Sequence, residues 1–422
     1  MFRLSELANG VRIVTEAAPS KVVAVGIWIE VGARDEHDLT SGCSHFVEHM
    51  LFKGTSRRSA HQIAREFDVM GGMANAFTAT EATCVQATVL ADRLPQAADL
   101  LADIVLAPAF APAEVENERE VIGQEIAMVE DTPDDLIHDL FNRQLWGRHP
   151  LGNPVLGSPR VVGALNPEHL RDFHHRHYIP KRILIAAAGQ LEHEQFCKLW
   201  QDSFGALTTP VGAGSRATAE RQAPRFVEPE RRVHDRGLEQ LHLMLGTYGP
   251  AENDPERYAF HLLNTILGGN MSSRLFQEIR EKRGLAYAVF SYLNSHSDSG
   301  NFGLYLGVDP LAAEEAAGLA AQEIRRLRRE PVTAGELSEA RDYARALIML
   351  AEENMEARMS RLARNTITFG REVPLAETLE KLEKVSIDDI MAVAEQTFSR
   401  PLSGVALGPL DDELLDWDVI DD

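Results

Sequence analysis

Two histidines and a glutamate stand close together in the stretch HFVEH, which contains His45, Glu48 and His49. Residues four apart lie on one face of an α-helix, so His45 and His49 can offer two imidazoles to one metal ion. Zinc bound by two histidines and a carboxylate keeps a fourth position for water and lowers the pKa of that water. Glu48, on an adjacent line of the helix, can then take the proton from the water. The spacing therefore suggests metal-assisted hydrolysis, in which the activated water attacks a carbonyl such as that of a peptide bond.

A third metal ligand is expected from the glutamate-rich stretch ENEREVIGQE, which offers Glu116, Glu118, Glu120 and Glu125. Glu118 and Glu125 are about two helical turns apart and share one face. One of them can bind the ion while the other hydrogen-bonds a histidine ligand. Helical spacing alone leaves both assignments open.

The HxxEH pattern by itself is a weak signal, because roughly one random sequence in twenty with this histidine content contains it. The alternative interpretation is an ordinary helix over residues 41–54 whose solvent-exposed face carries two histidines. Glutamate-rich helix faces are likewise most often just solvated.

Strands and helices are predicted around these residues. Alternating apolar residues predict strands at 22–33 and 74–90, and the run RILIAAAG at 182–189 predicts a buried strand. A helix over 41–54 carries HFVEH. A second helix, beginning near Pro112, carries the candidate third ligand, with acidic residues in its early turns.

The second half of the chain repeats the first in outline. A strand, an Asp-bearing turn and an Ala-rich helix occur at 77–105 and again at 297–324, but HxxEH occurs only in the first half. Residues 208–227 are the best candidate for a linker. We therefore predict two homologous α+β domains, 1–207 and 228–422, each a mostly antiparallel sheet packed with helices.

Composition narrows the class of protein. With 422 residues, 44% of them hydrophobic and 25% charged, the chain is expected to form about two to four globular domains. The net charge of 42 − 64 = −22 argues against nucleic-acid binding and would suit a basic partner, although solubility alone explains it. Three cysteines without CxxC fit a reducing compartment. With no membrane-spanning run and no leader in the sequence, we expect a cytoplasmic location.

The motif resembles the inverted zinc-peptidase motif, and the chain resembles the pitrilysin/insulinase family. Within that family it is most similar to the branch of mitochondrial processing peptidase and its two-domain bacterial relatives. The resemblance spans most of the chain in the family's order, in the stretches SGCSHFVEHMLFKGT, GGMANAFTATEAT, ENEREVIGQEI, HPLGNPVLGSPRVVGALNPEHLRDFHHRHYIP and SSRLFQEIREKRGLAYAV. It implies a zinc endopeptidase of bacterial origin.

The resemblance assigns roles to the residues of the first half. It implies that Glu125 is the third zinc ligand beside His45 and His49. Glu118 matches an additional acidic residue that assists catalysis without binding the ion, and Glu48 matches the general base.

Two further stretches match parts of the family that contact substrate. Asn75, Ala76 and Phe77 match an edge strand that pairs with the substrate backbone, and such pairing selects extended peptides. Arg280 and Tyr287 match a pair close to the scissile carbonyl, where both can donate hydrogen bonds to a developing oxyanion. Without the resemblance, the stretch around Arg280 is simply an amphipathic helix with a basic side.

The resemblance also implies a clamshell chamber of four domains, of which this chain supplies two. We therefore expect a homodimer, or a heterodimer with a related chain, that encloses unstructured or presequence-like peptides. Arg280 and Tyr287 then serve either their own zinc site or that of the partner. The acidic stretch 128–135 suggests a preference for basic peptides. The residues do not distinguish zinc from manganese or cobalt.

Two other functions fit the same family. A non-catalytic scaffold subunit, like the core subunits of respiratory complexes with this fold, is the main alternative, and the intact HFVEH and Glu125 argue against it. Degradation of larger peptides belongs to members with longer chains.

Overall fold

A computed structural model of the chain describes residues 2–209, 221–409, 417 and 420. The predicted linker at 208–227 therefore lies mostly outside the described residues. None of the described helices is long and apolar enough to cross a bilayer.

Strands and helices alternate along the described residues. The strands are β1 Phe2–Glu6, β2 Arg12–Ala17, β3 Val22–Ile29, β4 Met73–Thr78, β5 Thr83–Leu90, β6 Ile183–Gly189, β7 Arg231–Asp235, β8 Leu241–Gly249, β9 Ala286–Ser295, β10 Gly300–Val308 and β11 Ser403–Gly408. The α-helices are α1 Cys43–Leu51, α2 Ala60–Met70, α3 Leu94–Leu106, α4 Pro112–Asp131, α5 Pro133–Trp146, α6 Pro159–Val162, α7 Pro167–His177, α8 His193–Phe204, α9 Arg257–Leu267, α10 Ala313–Arg329, α11 Ala334–Ala351, α12 Met355–Phe369, α13 Leu375–Lys384 and α14 Ile387–Phe398.

The strands form two sheets of the same design. Their orders are β1-β2-β6-β3-β5-β4 and β7-β11-β8-β10-β9, so the second sheet repeats the first without β1. In each sheet one pair is parallel, β2 with β6 and β7 with β11, and the other pairs are antiparallel. The predicted α+β class with duplicated, mostly antiparallel halves is confirmed.

The chain divides into two compact units, and each contains a helix from the other half of the sequence. The first unit comprises Met1–Met128, Asn153–Gln222 and Leu350–Glu372, so it includes α12. The second comprises Val129–Gly152, Ala223–Met349 and Val373–Asp422, so it includes α5. The predicted domains, 1–207 and 228–422, were continuous stretches and so did not anticipate the exchange of α5 and α12. Sequence order does not reveal which sheet an apolar helix face covers.

The exchanged helix α12 covers the second face of the first sheet. Met359, Leu362 and Ala363 of α12 are buried against Leu184 and Ala186 of β6. The other face packs on the main core that α1, α3 and α8 cover. Because both faces are covered, every residue of β6 is buried, which explains its continuous apolar sequence.

The predicted single strand at 74–90 is instead a hairpin of two strands. β4 and β5 pair antiparallel around the loop 79–82, in which the Ala79 N–H donates to the Ala82 carbonyl at 2.8 Å. A pattern of alternating residues does not show a tight loop when the loop residues continue it. The hairpin puts β4 at the edge of the sheet.

Acid is expected to destabilise the first unit through His174 of α7. This imidazole is buried, its Nε2 lies 2.8 Å from the Val105 carbonyl oxygen, and burial lowers its pKa to about 4. The unfolded chain takes up a proton near pH 6.5, so this stabilisation is complete above pH 6.5 and is lost as the pH falls towards 4. At pH 5 the loss is about 2 kcal/mol. Denaturant unfolding between pH 7 and 5 should therefore show a smaller pH dependence for His174→Gln.

The matched control for this experiment is His169→Gln, which removes an exposed histidine from the same helix. This variant should keep the pH dependence of the unmodified chain. Equal pH dependence of the two variants would show that His174 does not carry the effect.

Candidate metal centre

Helix α1 has one apolar side and one side that carries the titratable residues. Its apolar residues pack into the core of the first unit and are fully buried; they are Cys43, Phe46, Val47, Met50 and Leu51. His45 and His49 retain partial exposure, with side chains 12% and 17% exposed. The core therefore fixes the rotation of α1 and holds both imidazoles on the same outer side.

The N-terminus of α1 is capped from outside the helix. Gly42, at φ +89°, has no side chain to cap it, and the Glu36 carboxylate accepts the N–H groups of Gly42 at 2.7 Å and Ser44 at 2.6 Å. Glu36 is buried, and burial raises its pKa to about 8 against the lowering effect of these donors. A buried side chain from the preceding loop therefore holds the first turn, immediately before His45.

His45, His49 and Glu125 converge on one point. Glu125 Oε2 lies 3.7 Å from His45 Nε2 and 3.6 Å from His49 Nε2. Among the described residues, these are the only three histidine, cysteine or acidic side chains whose ligand atoms all lie within 4.8 Å of one another. Glu125 Oε2 is buried without a hydrogen-bond partner in the described part of the chain. Two imidazoles and a carboxylate are a fitting donor set for a zinc ion with an open position.

The protonation state of His45 suits metal binding. Burial, and then the charge of His49, lower its pKa to about 4. The imidazole is therefore neutral near pH 7, which is the form that coordinates a metal ion.

Glu118 lies on the other side of His49. Its Oε2 is 3.0 Å from His49 Nδ1, and its Oε1 pairs with the Lys53 ammonium at 2.6 Å. The Glu118 side chain is 5% exposed and that of Lys53 33%, so the carboxylate, but not the ammonium, is shielded from water. Glu118 therefore orients the imidazole through Nδ1, while Glu125 faces Nε2.

Glu48 is held by a neighbouring strand. Its Oε2 accepts a hydrogen bond from the Thr78 hydroxyl, at the end of β4, at 2.6 Å. Burial raises the pKa of Glu48, the Thr78 hydrogen bond and the charge of His49 lower it, and the charge of Glu125 raises it. The Glu48 carboxylate is thus close enough to His49 and Glu125 to feel their charges, and the Thr78 hydroxyl restrains it.

The predicted substrate-binding residues Asn75, Ala76 and Phe77 lie on β4, the last strand of the first sheet. Asn75 is exposed, while Ala76 and Phe77 are half-buried. The Phe77 ring packs edge-on against Trp28 with centroids 5.4 Å apart. The edge strand therefore leads directly to Thr78 and the Glu48 carboxylate.

Arg280 and Tyr287 form a contact in the second unit. The Arg280 guanidinium carbon lies 5.5 Å from the Tyr287 ring centroid and 4.9 Å from that of Phe276. Arg280 belongs to a π-helix, Phe276–Glu281, where the sequence pattern predicted an ordinary amphipathic helix. Single-turn π-helices are frequent at functional sites. Tyr287 is 76% exposed, so its hydroxyl is accessible.

Three residues around the centre were not predicted from the sequence: Lys53, Thr78 and Glu36. Lys53 had a local signal, because it follows His49 by one helical turn and can reach the same partner. Thr78 directly follows the predicted edge-strand residues. Glu36 had no recognisable signal, since a cap from a preceding loop depends on how that loop folds.

Replacing Glu118 with glutamine is expected to weaken zinc binding without abolishing it. The amide oxygen can still accept from His49 Nδ1, but the negative charge and the Lys53 ion pair are lost. Loss of such an orienting partner typically lowers metal affinity about 10–100-fold. Zinc affinity can be measured by competition with a chelating dye.

The control for Glu118→Gln is Glu120→Gln, which changes an exposed carboxylate on the same helix. It should leave the zinc affinity unchanged. A Glu118→Gln affinity equal to that of the control would contradict the orienting role.

Two family models match the chain. Residues 12–159 match "Insulinase (Peptidase family M16)", and residues 164–343 match "Peptidase M16 inactive domain". The HxxEH motif and Glu125 lie in the first match, and Arg280 and Tyr287 lie in the second.

Solved structures with this fold cover nearly the whole chain. A protease from Helicobacter pylori has a TM-score of 0.90 at 22% identity and covers 96% of this chain and 99% of its own. A peptidase M16 inactive domain from Pseudomonas fluorescens has a TM-score of 0.89 at 20% identity, with coverages of 97% and 98%. A chain of complex III from Candida albicans has a TM-score of 0.84 at 20% identity, with coverages of 99% and 98%. At these identities the likeness concerns the fold alone.

Curated relatives are similar over almost their full length. An uncharacterized zinc protease of Mycobacterium tuberculosis is 40% identical over 410 residues, 96% of this chain and 93% of the relative. An uncharacterized zinc protease of Bacillus subtilis is 37% identical over 410 residues, with coverages of 97% and 98%. These names support Zn²⁺ as the cofactor. By sequence and by fold, the chain belongs to the insulinase family of peptidases, M16.

Proposed function

We propose that the chain is a zinc-dependent endopeptidase that hydrolyses unstructured peptides. The convergence of His45 Nε2, His49 Nε2 and Glu125 Oε2, with Glu48 beside them, carries this proposal. Two imidazoles and one carboxylate leave a coordination position open, as catalytic zinc sites do. A structural zinc site would be closed by a fourth protein ligand.

Each residue of the centre has a distinct task in this proposal. Zinc, when bound, supplies Lewis-acid activation of water and of the peptide carbonyl. Glu48 takes the proton from the attacking water and passes it to the leaving amine. The Thr78 hydroxyl keeps Glu48 in place, and Glu118 keeps the His49 ring oriented. Arg280 and Tyr287, of this chain or of its partner, would donate hydrogen bonds to the developing oxyanion.

The substrate class follows from the edge strand. Residues Asn75, Ala76 and Phe77 lie on a strand whose outer side is unpaired among the described residues, so it can pair with an extended peptide. We propose that two such chains, or this chain and a related one, enclose the peptide in a chamber in the bacterial cytoplasm. The acidic stretch 128–135 would favour basic, presequence-like peptides.

A non-catalytic core subunit is the second candidate function. Two observations favour it: the likeness to a chain of complex III and the "inactive domain" model that matches residues 164–343. The second observation concerns the half that lacks HxxEH. Since the three ligands and Glu48 are present together in the first unit, the peptidase is the better-supported proposal.

Peptide cleavage with and without zinc separates the two candidates. The purified chain is loaded with about one zinc per chain and incubated with a library of unstructured peptides, equal in length and either basic or acidic. A peptidase cuts the library, stops cutting when the zinc is chelated, and resumes when zinc is restored. A core subunit cuts nothing in any of these states. Equal rates for basic and acidic peptides would remove the proposed charge preference.

A complementation test addresses the dimer. Glu48→Gln chains are mixed with Arg280→Ala/Tyr287→Phe chains. If Arg280 and Tyr287 of one chain complete the zinc site of the other chain, mixed dimers regain activity. Mixed dimers that form and stay inactive would show that Arg280 and Tyr287 do not act on the partner chain.

A further inference from the structure

A group of largely buried charged side chains is linked to the metal centre through two loops and has no role in the chemistry above. Its centre is Arg221, whose side chain is 6% exposed. Arg221 pairs with Asp35 through two bonds, Nε to Oδ1 at 3.1 Å and Nη2 to Oδ2 at 2.7 Å. Nη2 also donates to the Glu81 carbonyl at 2.7 Å. A planar guanidinium with several fixed acceptors restrains all of them at once.

One set of contacts leads from Arg221 to the zinc-binding helix. Asp35 Oδ2 accepts the Gly32 N–H at 3.0 Å, which ties the carboxylate to its own loop. The next residue, Glu36, caps α1 by accepting the N–H groups of Gly42 and Ser44. A shift of Asp35 therefore moves the cap that holds the first turn of α1.

A second set of contacts leads from Arg221 to the general base. Glu81 lies in the loop 79–82 and pairs with Arg221 Nη1 at 3.3 Å and with Arg34 Nη1 at 2.6 Å. This loop starts directly after Thr78, whose hydroxyl holds the Glu48 carboxylate. A shift of Glu81 therefore moves the residue that positions the base.

The loop that carries Asp35 and Glu36 and the loop 79–82 are also in direct backbone contact. The Arg34 N–H donates to the Thr80 carbonyl at 2.8 Å. A Cβ atom at Gly32 would lie 2.2 Å from the Ala79 carbonyl oxygen, so only glycine permits this approach. These contacts hold the two loops against each other, and Arg221, at the start of the segment that follows residues 210–220, bonds to both loops.

We propose that Arg221 is a positioning residue of the zinc centre. It ties the segment after residues 210–220 to the two loops that hold α1 and Glu48, and so sets the geometry of the ligands and of the base. The expected effect of Arg221 on the rate of cleavage rests on the proposed peptidase function. The expected effects of Arg221 on zinc affinity and on the mobility of the loops do not depend on catalysis.

Three variants test the proposal. Arg221→Gln removes the charge and the paired bonds, Arg221→Lys keeps the charge, and Arg225→Gln changes an exposed arginine nearby as the matched control. Hydrogen–deuterium exchange of the zinc-loaded chain should become faster in residues 32–49 and 75–83 of Arg221→Gln. It should stay unchanged in α8 and in every segment of the Arg225→Gln variant.

Zinc affinity and kinetics give the second and third readouts. Arg221→Gln should lower zinc affinity about tenfold, the lower end of what outer partners of metal ligands contribute. It should lower kcat with little change in KM, and Arg221→Lys should recover part of both losses. If Arg221→Gln is too unstable to purify, the Arg221→Lys variant still provides all three readouts.

The possible outcomes are distinct. A lowered unfolding temperature with unchanged zinc affinity, unchanged kcat and uniform exchange would mean that Arg221 is merely structural, and would overturn the proposal. If the unmodified chain binds zinc but cuts no peptide, the proposed peptidase function fails. Faster local exchange and weaker zinc binding in Arg221→Gln would then still support the positioning role, and their absence would overturn it.

Discussion

Glu48→Gln is expected to hold zinc as tightly as the unmodified chain and to cut peptides about 10³-fold more slowly. Glutamine has the same shape as glutamate and can still accept the Thr78 hydrogen bond, so α1 and its two histidines should stay in place. What it loses is the ability to take a proton. The effect should therefore appear in kcat, with KM almost unchanged.

The measurement is steady-state cleavage of one peptide that the unmodified chain cuts in the library experiment, together with the zinc content per chain. Glu120→Gln is the control, because it removes an exposed carboxylate of the first unit without touching the centre. Thr78→Val provides an intermediate case, since Glu48 keeps its carboxyl group but loses the hydroxyl that restrains it and lowers its pKa. The rate of Thr78→Val should lie between those of Glu48→Gln and Glu120→Gln. A Glu48→Gln chain that retains zinc and cuts at the rate of the control would disprove the role of Glu48 as the base.

The second large effect is expected at Glu125. Glu125→Gln replaces the charged oxygen that faces both Nε2 atoms by a neutral amide. Because a ligand bond contributes directly to metal binding, zinc affinity should fall on the order of 10³-fold, and activity should fall with it. This loss is larger than the 10–100-fold loss expected for Glu118→Gln, where an orienting contact is changed.

Whether Glu125→Gln or Glu118→Gln loses more zinc affinity decides which glutamate is the metal ligand. Zinc affinity of both variants is measured by the same chelator competition, with circular dichroism to verify that each chain is folded. Excess zinc should restore much of the activity of Glu118→Gln but little of that of Glu125→Gln. If Glu118→Gln loses more zinc than Glu125→Gln, the assignment of the third ligand is wrong.

Local patterns in the sequence predicted a large part of this centre. The placement of His45 and His49 on one helix face follows from a spacing of four residues, which any helix translates into neighbouring side chains. The strands β3 and β6 were likewise predicted from their own residues, because alternation and continuous apolar runs reflect burial of one or both faces. The duplicated order of elements was also visible in the chain, and the two sheets confirm it.

Contacts between distant parts of the chain were not visible in the same way. Helical spacing left Glu118 and Glu125 equivalent, and the resemblance favoured Glu125. The core that α4 shares with α1 places Glu118 next to His49 Nδ1 and Glu125 next to the two Nε2 atoms. The Thr78 contact requires the hairpin turn at 79–82, and the pairing of Arg221 with Asp35 joins residues far apart in the sequence.

The sequence by itself thus indicated a metal site with two histidines and a carboxylate, because the ligand types and their helical spacing are local properties. Only the tertiary structure decided how the centre is held. The cap from Glu36, the hydrogen bond from Thr78, the ion pair of Lys53 with Glu118 and the covering of the first sheet by α12 all depend on which segments the buried core brings together. Core packing is cooperative over the whole unit, so no single stretch of sequence contains that information.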